Sequence, residues 1–452
     1  MGAIARYFKF EERGTSFLTE TRAGLTTFMV MVYIIFVNPS IIAGPMHLPI
    51  GVVAAGTALV AGVMTIAMGL VANYPFALAA GLGLNAVVAF TLLGDKAKGG
   101  LGMTPGAAMG VIVIEGIVIT VLVVIGFREA IMNAVPLTLK RSIGVGIGLF
   151  ILFIGFSEGG LIAGQNSVYG DPPAVKVLPI TDIHQWVFLI GLLLTVVLYV
   201  LRVKAALIIS IVATSVIAFA AGITHAPQQW TVTPSFDGLF KPDLPGVFSQ
   251  LVLITALLTI FTIMLSDFFD TMGTVTGIAA EAGLADEDGS VPGIGRVLIV
   301  DSVAAAAGGL ANVSSNTTYI ESAAGVAEGG RTGFASVVTG VLFLAAIFLS
   351  PLADFVPKQA TAPALVLVGF LMFTLVKDID VANVEDGLPA LLTIILMPLT
   401  YSITVGIGAG VITWTLIKVL RLKFSEIHWL MWVVTAAFIV YFASDWIRVV
   451  WH

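Results

Sequence analysis

The sequence predicts an all-α polytopic membrane protein with about fourteen transmembrane spans arranged as two inverted seven-span repeats. Three observations lead there. Of 452 residues, 58% are hydrophobic and 11% charged, with a mean hydropathy of +1.05, a balance that would not keep a soluble domain of this size in solution. Apolar runs of roughly 20 residues, the length that crosses the hydrocarbon core of a bilayer, recur along the whole chain. Two of these runs are broken by proline, glycine or hydroxyl residues at equivalent places in the two halves, the sequence mark of an inverted repeat.

Runs separated by Gly, Pro or charge give spans near 23–43, 51–71, 75–92, 105–126, 138–156, 184–201, 204–222, 250–280, 294–310, 313–329, 332–353, 362–376, 387–402 and 404–420. A leftover stretch, 428–447, has Trp at both ends and fits either a further span or a helix at the interface, where indole rings favour the headgroup level. The first 22 residues are charged and amphipathic and lack the apolar core and small-residue cleavage site of a removable signal peptide, so the first span is expected to direct insertion. With the N-terminus inside and fourteen spans, fifteen of the 21 Lys and Arg residues fall on the cytoplasmic side, among them Arg13, Arg22, Arg128 and Lys204. Lys96, Lys98, Lys176, Lys241 and Lys358 fall outside, in keeping with the positive-inside rule. Short loops and the lack of organelle signals point to a bacterial inner (cytoplasmic) membrane.

Several chemistries are excluded or disfavoured. There is no cysteine, which removes disulfides and Cys-ligated metal centres. The five histidines are scattered without metal-ligand spacing, and no nucleophile–base pair suggests an enzyme. No basic stretch suggests a nucleic-acid partner, and no cofactor is expected. The Gly81-Leu82-Gly83 triplet is not a dinucleotide fingerprint, since it lacks the strand–helix context and a third glycine. Asn312-Val-Ser314 and Asn316-Thr-Thr318 match glycosylation acceptors but lie at membrane depth. The acidic run Asp286, Glu287, Asp288 reads as a solvated turn.

The two broken segments are the informative ones. PFALAAGLGLNAVVAF (75–90) starts with proline and carries Gly81 and Gly83, and VSSNTTYIESAAGVAEG (313–329) opens with polar residues. Neither can face lipid throughout, because non-helical backbone at membrane depth survives only when buried in protein or lining a cavity. Ionisable residues cluster beside them. LSDFFDTMGT (265–274) holds Asp267 and Asp270 three apart, on one helical face; Asp301 follows in the ninth span, and Glu321 ends the second break. Such intramembrane carboxyls are functional candidates by default. Burial favours the neutral form of a carboxyl, so it can accept a hydrogen bond from a ligand N–H when ionised and carry a proton when neutral. Glu321 also sits where a half-helix would begin, a position that suits a carboxylate. Asn85 adds an amide with donors and acceptors, and the nearby glycines let a planar ligand approach the backbone. Asp270 and Asp301 are proton-relay candidates, with a structural hydrogen bond as the alternative for each. Glu115 is a lone acid in the fourth span, accounted for as readily by packing as by a role.

The segments SSNTTYIESAAGVAEGGRTG (314–333), LSDFFDTMGT, YPFALAAGLGLNA (74–86) and AGLTTFMVMVYIIFVNP (23–39) resemble the AzgA-type purine permeases, relatives of the nucleobase–ascorbate transporters. The resemblance runs from about Arg22 to Lys423. It implies proton-coupled import of adenine, guanine or hypoxanthine, with the proton as coupling ion. It also implies short strands in spans three and ten and a division into core and gate. In residues, this gives a cytoplasmic segment 1–22, core parts 23–126 and 250–353, gate parts 127–222 and 354–421, and a C-terminal segment 422–452. The binding set it implies is Asp267, Glu321, Gly83 and Asn85, with Leu82 and Ile320 alongside, and a homodimer through the gate domain is in keeping with it. Asp267 and Glu321, where the uracil and xanthine branches carry other residues, favour a purine such as hypoxanthine over uracil, xanthine or urate. An inorganic anion carrier on the same fold is the rival that Glu321 opposes, since a carboxylate repels an anion.

Overall fold

The computed structural model describes residues 2–96, 100–126, 135–164, 175–225, 233–284, 291–400 and 402–450. The predicted acidic turn Asp286, Glu287, Asp288, and Lys98 and Arg128, lie outside these residues. The first half of the chain comprises α1 (Phe17–Met31), α2 (Ile34–Met46), α3 (Ile50–Ala67), β1 (Leu78–Ala80), α4 (Leu82–Ala86), α5 (Pro105–Val124), α6 (Leu137–Glu158), β2 (Ile162–Gly164), β3 (Val175–Val177), α7 (Ile183–Val200) and α8 (Ala206–Ala220). The second half comprises α9 (Leu253–Glu281), α10 (Ile294–Leu310), β4 (Asn316–Thr318), α11 (Ser322–Ala327), α12 (Gly333–Ala346), α13 (Lys358–Phe373), α14 (Val384–Thr400), α15 (Ile403–Leu420) and α16 (Trp429–Val450). Among the described residues, eight helices are individually long and apolar enough to cross a membrane; α8, α16 and the opening part of α9 are shorter apolar helices. The two predicted broken spans are indeed a short strand followed by a short helix.

The inverted repeat is written in the packing. Several contacts between helices recur, shifted by seven spans, between their counterparts. The α3–α12 contact is matched by α10–α5, α1–α12 by α9–α5, α6–α14 by α13–α7, α7–α8 by α14–α15, and α13–α8 by α6–α15. The broken elements pair with each other, β1 with β4. Without a hydrophobic driving force between helices in lipid, close approach depends on small residues, and glycines stand at these seams. A Cβ on Gly69 would lie 2.3 Å from the Gly333 carbonyl oxygen and one on Gly333 2.0 Å from that of Gly69; Gly62 and Gly340, one heptad away on each helix, make the same backbone-on-backbone approach. Gly148 of α6 and Gly369 of α13 repeat the device.

Three details differ from the sequence reading. The helix of the first span begins at Phe17, not 23, because Ser16 caps it by accepting the Thr19 N–H at 3.2 Å. Glu20, which the sequence reading left outside the membrane as a charge, is fully buried and accepts the N–H groups of Arg331, Thr332 and Ala335 at 2.8, 3.3 and 3.3 Å. It thereby accepts from the backbone donors where α12 begins. The predicted loop after the fifth span contains a small hairpin, β2 paired antiparallel with β3. The leftover C-terminal stretch is helical and packs along α15, with Gly408 against Phe438 and Thr415 hydrogen-bonded to Thr435 at 2.8 Å.

Replacing Gly69 by Val should force the α3–α12 seam apart and cost about 1–3 kcal/mol, read as a lowered melting temperature of the purified protein in detergent. Gly44→Ala, where nothing lies within 4 Å of the added Cβ, should leave that temperature unchanged or slightly raised.

Candidate functional site

The site is organised by the antiparallel meeting of β1 and β4, in which Leu78 opposes Thr318, Ala79 opposes Thr317 and Ala80 opposes Asn316. Flanking bonds extend the pairing: Gly81 N–H donates to the Ser315 carbonyl and Tyr319 N–H to that of Ala77, both at 2.9 Å. The Tyr319 hydroxyl donates to the Ala80 carbonyl, and Ala77 N–H donates to Ser322 Oγ at 2.9 Å. Thr65 of α3 serves Leu78 on both sides, accepting its N–H at 2.9 Å and donating to its carbonyl at 3.1 Å. Each broken span therefore supplies the hydrogen-bond partners that the other lacks, which is what permits non-helical backbone here.

The predicted carboxyls surround this crossing, each in a different setting. Asp301 is buried and accepts three bonds: Thr318 N–H and Thr318 Oγ1–H on Oδ1, both at 2.8 Å, and Thr271 Oγ1–H on Oδ2 at 2.7 Å. It ties β4 to α9 and α10. Asp267, one turn from Thr271 on α9, is also buried; Ser315 Oγ donates to its Oδ2 at 3.3 Å, while Oδ1 has no partner among the described residues. Glu321 is half-buried at the residue preceding α11 but does not cap it; its Oε1 instead accepts the Tyr33 hydroxyl of α2 at 2.6 Å. Asp270, one turn from Asp267 on α9, is exposed. Ile320 is 52% exposed, whereas Leu82 on the opposite break is buried. Asn85 is fully buried with both amide atoms unpartnered among the described residues, and so is Asn316.

The two glycines of the first break act differently from one another. Gly81 faces the opposing strand, where a Cβ would meet Thr317 Cγ2 at 2.9 Å; Gly83 faces α6, where a Cβ would meet Ile147 Cγ2 at 2.6 Å. The structure thus groups Asp267, Asp270, Asp301 and Glu321 around one crossing and places Asn85 in the half-helix beside it. Sequence reasoning did not pick out Tyr33, Thr271, Ser315 or Thr318. For Tyr33 a signal was present, a hydroxyl within the first apolar run. Glu115, read as ambiguous, is fully buried, with neither carboxyl oxygen partnered by a donor among the described residues. Among the described residues no three His, Cys, Asp or Glu side chains converge to hold a metal.

The chain matches the model of the Permease family, Xan_ur_permease, over residues 19–409. It is 39% identical to the guanine/hypoxanthine permease PbuG of Bacillus subtilis, covering 96% of this chain and 98% of that one. With the adenine permease AdeQ of Escherichia coli the identity is 37%, over 97% and 95%. Among solved structures it resembles the transmembrane domain of the cyanobacterial bicarbonate transporter BicA, with a TM-score of 0.62, 14% identity and coverage of 87% of this chain and 97% of that one. It also resembles SLC26A9, again at 0.62, with 12% identity over 89% and 65%. At such identities the last two likenesses establish a shared fold.

Asp301→Ala would leave two hydroxyls and a backbone N–H at the crossing without their acceptor, and should cost about 3–5 kcal/mol, as when one partner of a buried charged network is removed. Thermal unfolding of purified protein should show this loss, with Asp270→Asn, at an exposed position, changing the melting temperature far less.

Proposed function

Because the chain belongs to the Xan_ur_permease family of permeases, we propose that it imports purine nucleobases, adenine, guanine or hypoxanthine, in symport with protons across a bacterial cytoplasmic membrane. The observation that carries the reading is the pairing of acidic acceptors with buried, unpartnered amides at the crossing of the two breaks. A neutral purine presents ring and exocyclic N–H donors along one edge and ring nitrogen acceptors along another. Asp267 and Glu321 supply carboxylate oxygens for the donors, and Asn85 supplies an amide that can answer either kind of group. Buried polar groups left without partners are costly, so a ligand that satisfies them gains affinity and selectivity together. The names of PbuG and AdeQ, at 39% and 37% identity over nearly the whole chain, support the same substrate class.

Asp267, Asp301 and Glu321 bring charge of one sign to the crossing, with Asp270 one turn from Asp267 on α9. That field opposes an anion, so the likeness to BicA extends to the fold and not to its bicarbonate cargo. A cluster of acids suits a proton instead, and one embedded carboxylate of this group is its carrier. Transport follows from relative movement of a core, built on spans one to four and eight to eleven, against a gate built from the rest, either rocking or as an elevator. Gly83 against Ile147 and the Lys204–Glu328 ion pair are contacts between the two that such a movement must remake. The N-terminus is placed on the cytoplasmic side by the distribution of Lys and Arg, and pairing of two copies through the gate remains part of the proposal.

Liposomes carrying the purified protein should accumulate labelled hypoxanthine, adenine or guanine when an inward proton gradient is imposed, and should take up neither uracil nor sulfate. Uptake of uracil or sulfate without purine would overturn the substrate assignment. Glu321→Gln should weaken purine binding by about 1.5–3 kcal/mol, the worth of a hydrogen bond to a charged group, or roughly ten- to a hundredfold. Tyr33→Phe, which frees Glu321 Oε1 from its hydroxyl partner, should change binding without unfolding the protein; both effects are measurable by scintillation proximity with labelled purine.

A further inference from the structure

We propose that Glu328 is the catch of a latch between core and gate, with Arg22 its permanent partner and Lys204 the partner that leaves during transport. The inference deepens the proposed movement of core against gate and rests on it. Glu328 opens the run Glu328-Gly-Gly-Arg-Thr-Gly333 that follows α11, a stretch of the second break to which the purine contacts give no task. The other residues of this run fasten α11 to the core. Gly329 takes a positive φ of 96° and passes so close to α1 that a Cβ would lie 2.9 Å from Thr19 Cγ2. Arg331 Nη1 donates to the carbonyls of Val326 and Gly330, at 2.7 and 2.8 Å, which closes the C-terminal end of α11. Its own carbonyl accepts Arg13 Nη1 at 2.7 Å, Thr332 caps α12, and Gly333 N–H donates to Asn73 Oδ1 at 2.9 Å. The half-helix itself lies against α1, where a Cβ on Gly325 would meet Thr27 Oγ1 at 2.1 Å.

Glu328 is the member of the run whose side chain reaches the gate. Its Oε2 accepts Arg22 Nη2 of α1 at 2.8 Å, while its Oε1 accepts Lys204 Nζ. Lys204 lies in the turn between α7 and α8, which pack on each other and on α13, so it travels with the gate. Arg22 lies on the helix against which α11 is pressed, so it travels with the core. One carboxylate thus gives one oxygen to each body.

This division decides what opening the latch costs. The Glu328 side chain is 18% exposed, whereas those of Lys204 and Arg22 are 67% and 63% exposed. Leaving an enclosed charge without its partner is costly, but with Arg22 in place the departure of Lys204 leaves Glu328 paired and returns an already exposed ammonium to water. An ion pair with exposed partners contributes little to stability. That suits a contact broken in every cycle, strong enough to bias the balance between two end states and too weak to trap one of them. The latch is also tied to the substrate. α11 is six residues long, fewer than two turns, and separates Glu321 at its start from Glu328 just past its end. Movement of the acid proposed to hold purine is therefore carried to the catch with little slack.

The chain has no cysteine, so introduced thiols are the only ones present, and the test uses them in pairs. In liposomes, bridging Lys204→Cys to Glu328→Cys with a short bifunctional methanethiosulfonate should abolish uptake of labelled hypoxanthine while leaving its binding intact, and reduction of the bridge should restore uptake. The same bridge between Arg22→Cys and Glu328→Cys, both within the core, should leave uptake unchanged. Spin labels on the first pair should report two separations and on the second pair one. Among single substitutions, Arg22→Gln should slow uptake more than Lys204→Gln, because it leaves Glu328 without a partner whenever the latch opens. Uptake that continues through the bridge from 204 to 328 overturns the proposal, and so does arrest by the bridge from 22 to 328. Should Glu328→Cys fail to fold, the pair Lys204→Cys with Arg22→Cys, which keeps Glu328, decides by the same bridge. A wild type that takes up no purine would sink the substrate reading alone; the spin labels then decide the latch, and a single separation for 204 with 328 overturns it.

Discussion

The antiparallel pairing of Leu78–Ala80 with Asn316–Thr318 is the constraint on which the rest of the structure depends. Lipid offers no hydrogen bonds, so a broken span is tolerable only if its backbone groups are answered from within the protein. Here each break answers the other. Because the strands come from opposite repeats, their meeting lies at the centre of the repeat-related packing, and the helices around it pack in matched pairs related by the seven-span shift. Glycine contacts such as Gly69 with Gly333 and Gly62 with Gly340 bring the flanking helices close enough for Thr65 of α3 to reach Leu78 of the strand.

Against that scaffold the acidic groups divide the work. Asp301 accepts three hydrogen bonds and fastens β4 to its neighbours. Glu321 has one oxygen held by Tyr33, Asp270 is exposed, and Asp267 has an oxygen without a partner among the described residues. A core evolved for stability alone would pair or remove such groups. Incomplete satisfaction confined to one crossing is the local violation of folding rules expected where function is located. Asn85 and Asn316, buried and unpartnered on the two breaks, belong to the same pattern.

Much of this was legible in the sequence, because the bilayer imposes rules that show in composition. Span length, the two interruptions and the cluster from Asp267 to Glu321 all followed from what lipid forbids. The helix boundary at Phe17 was missed because Glu20 reads as a surface charge until the N–H groups of residues 331–335, more than 300 positions away, are seen to surround it. Long-range partnership also hid the roles of Tyr33 and Thr318. Gly83 was read as room for a ligand, yet it faces Ile147 of α6, a contact that depends on how the two groups of helices meet. Glu115 was ambiguous because α5 is apolar around it and its sequence does not show which helix it meets.

The proposed function turns on substrate held at the crossing of the two breaks by acids from the second repeat. A structure of the purified protein with bound hypoxanthine is the decisive measurement. The purine is expected beside the paired strands, with its N–H groups donating to Asp267 and Glu321. Purine bound away from the crossing, with both carboxyls uncontacted, would contradict it.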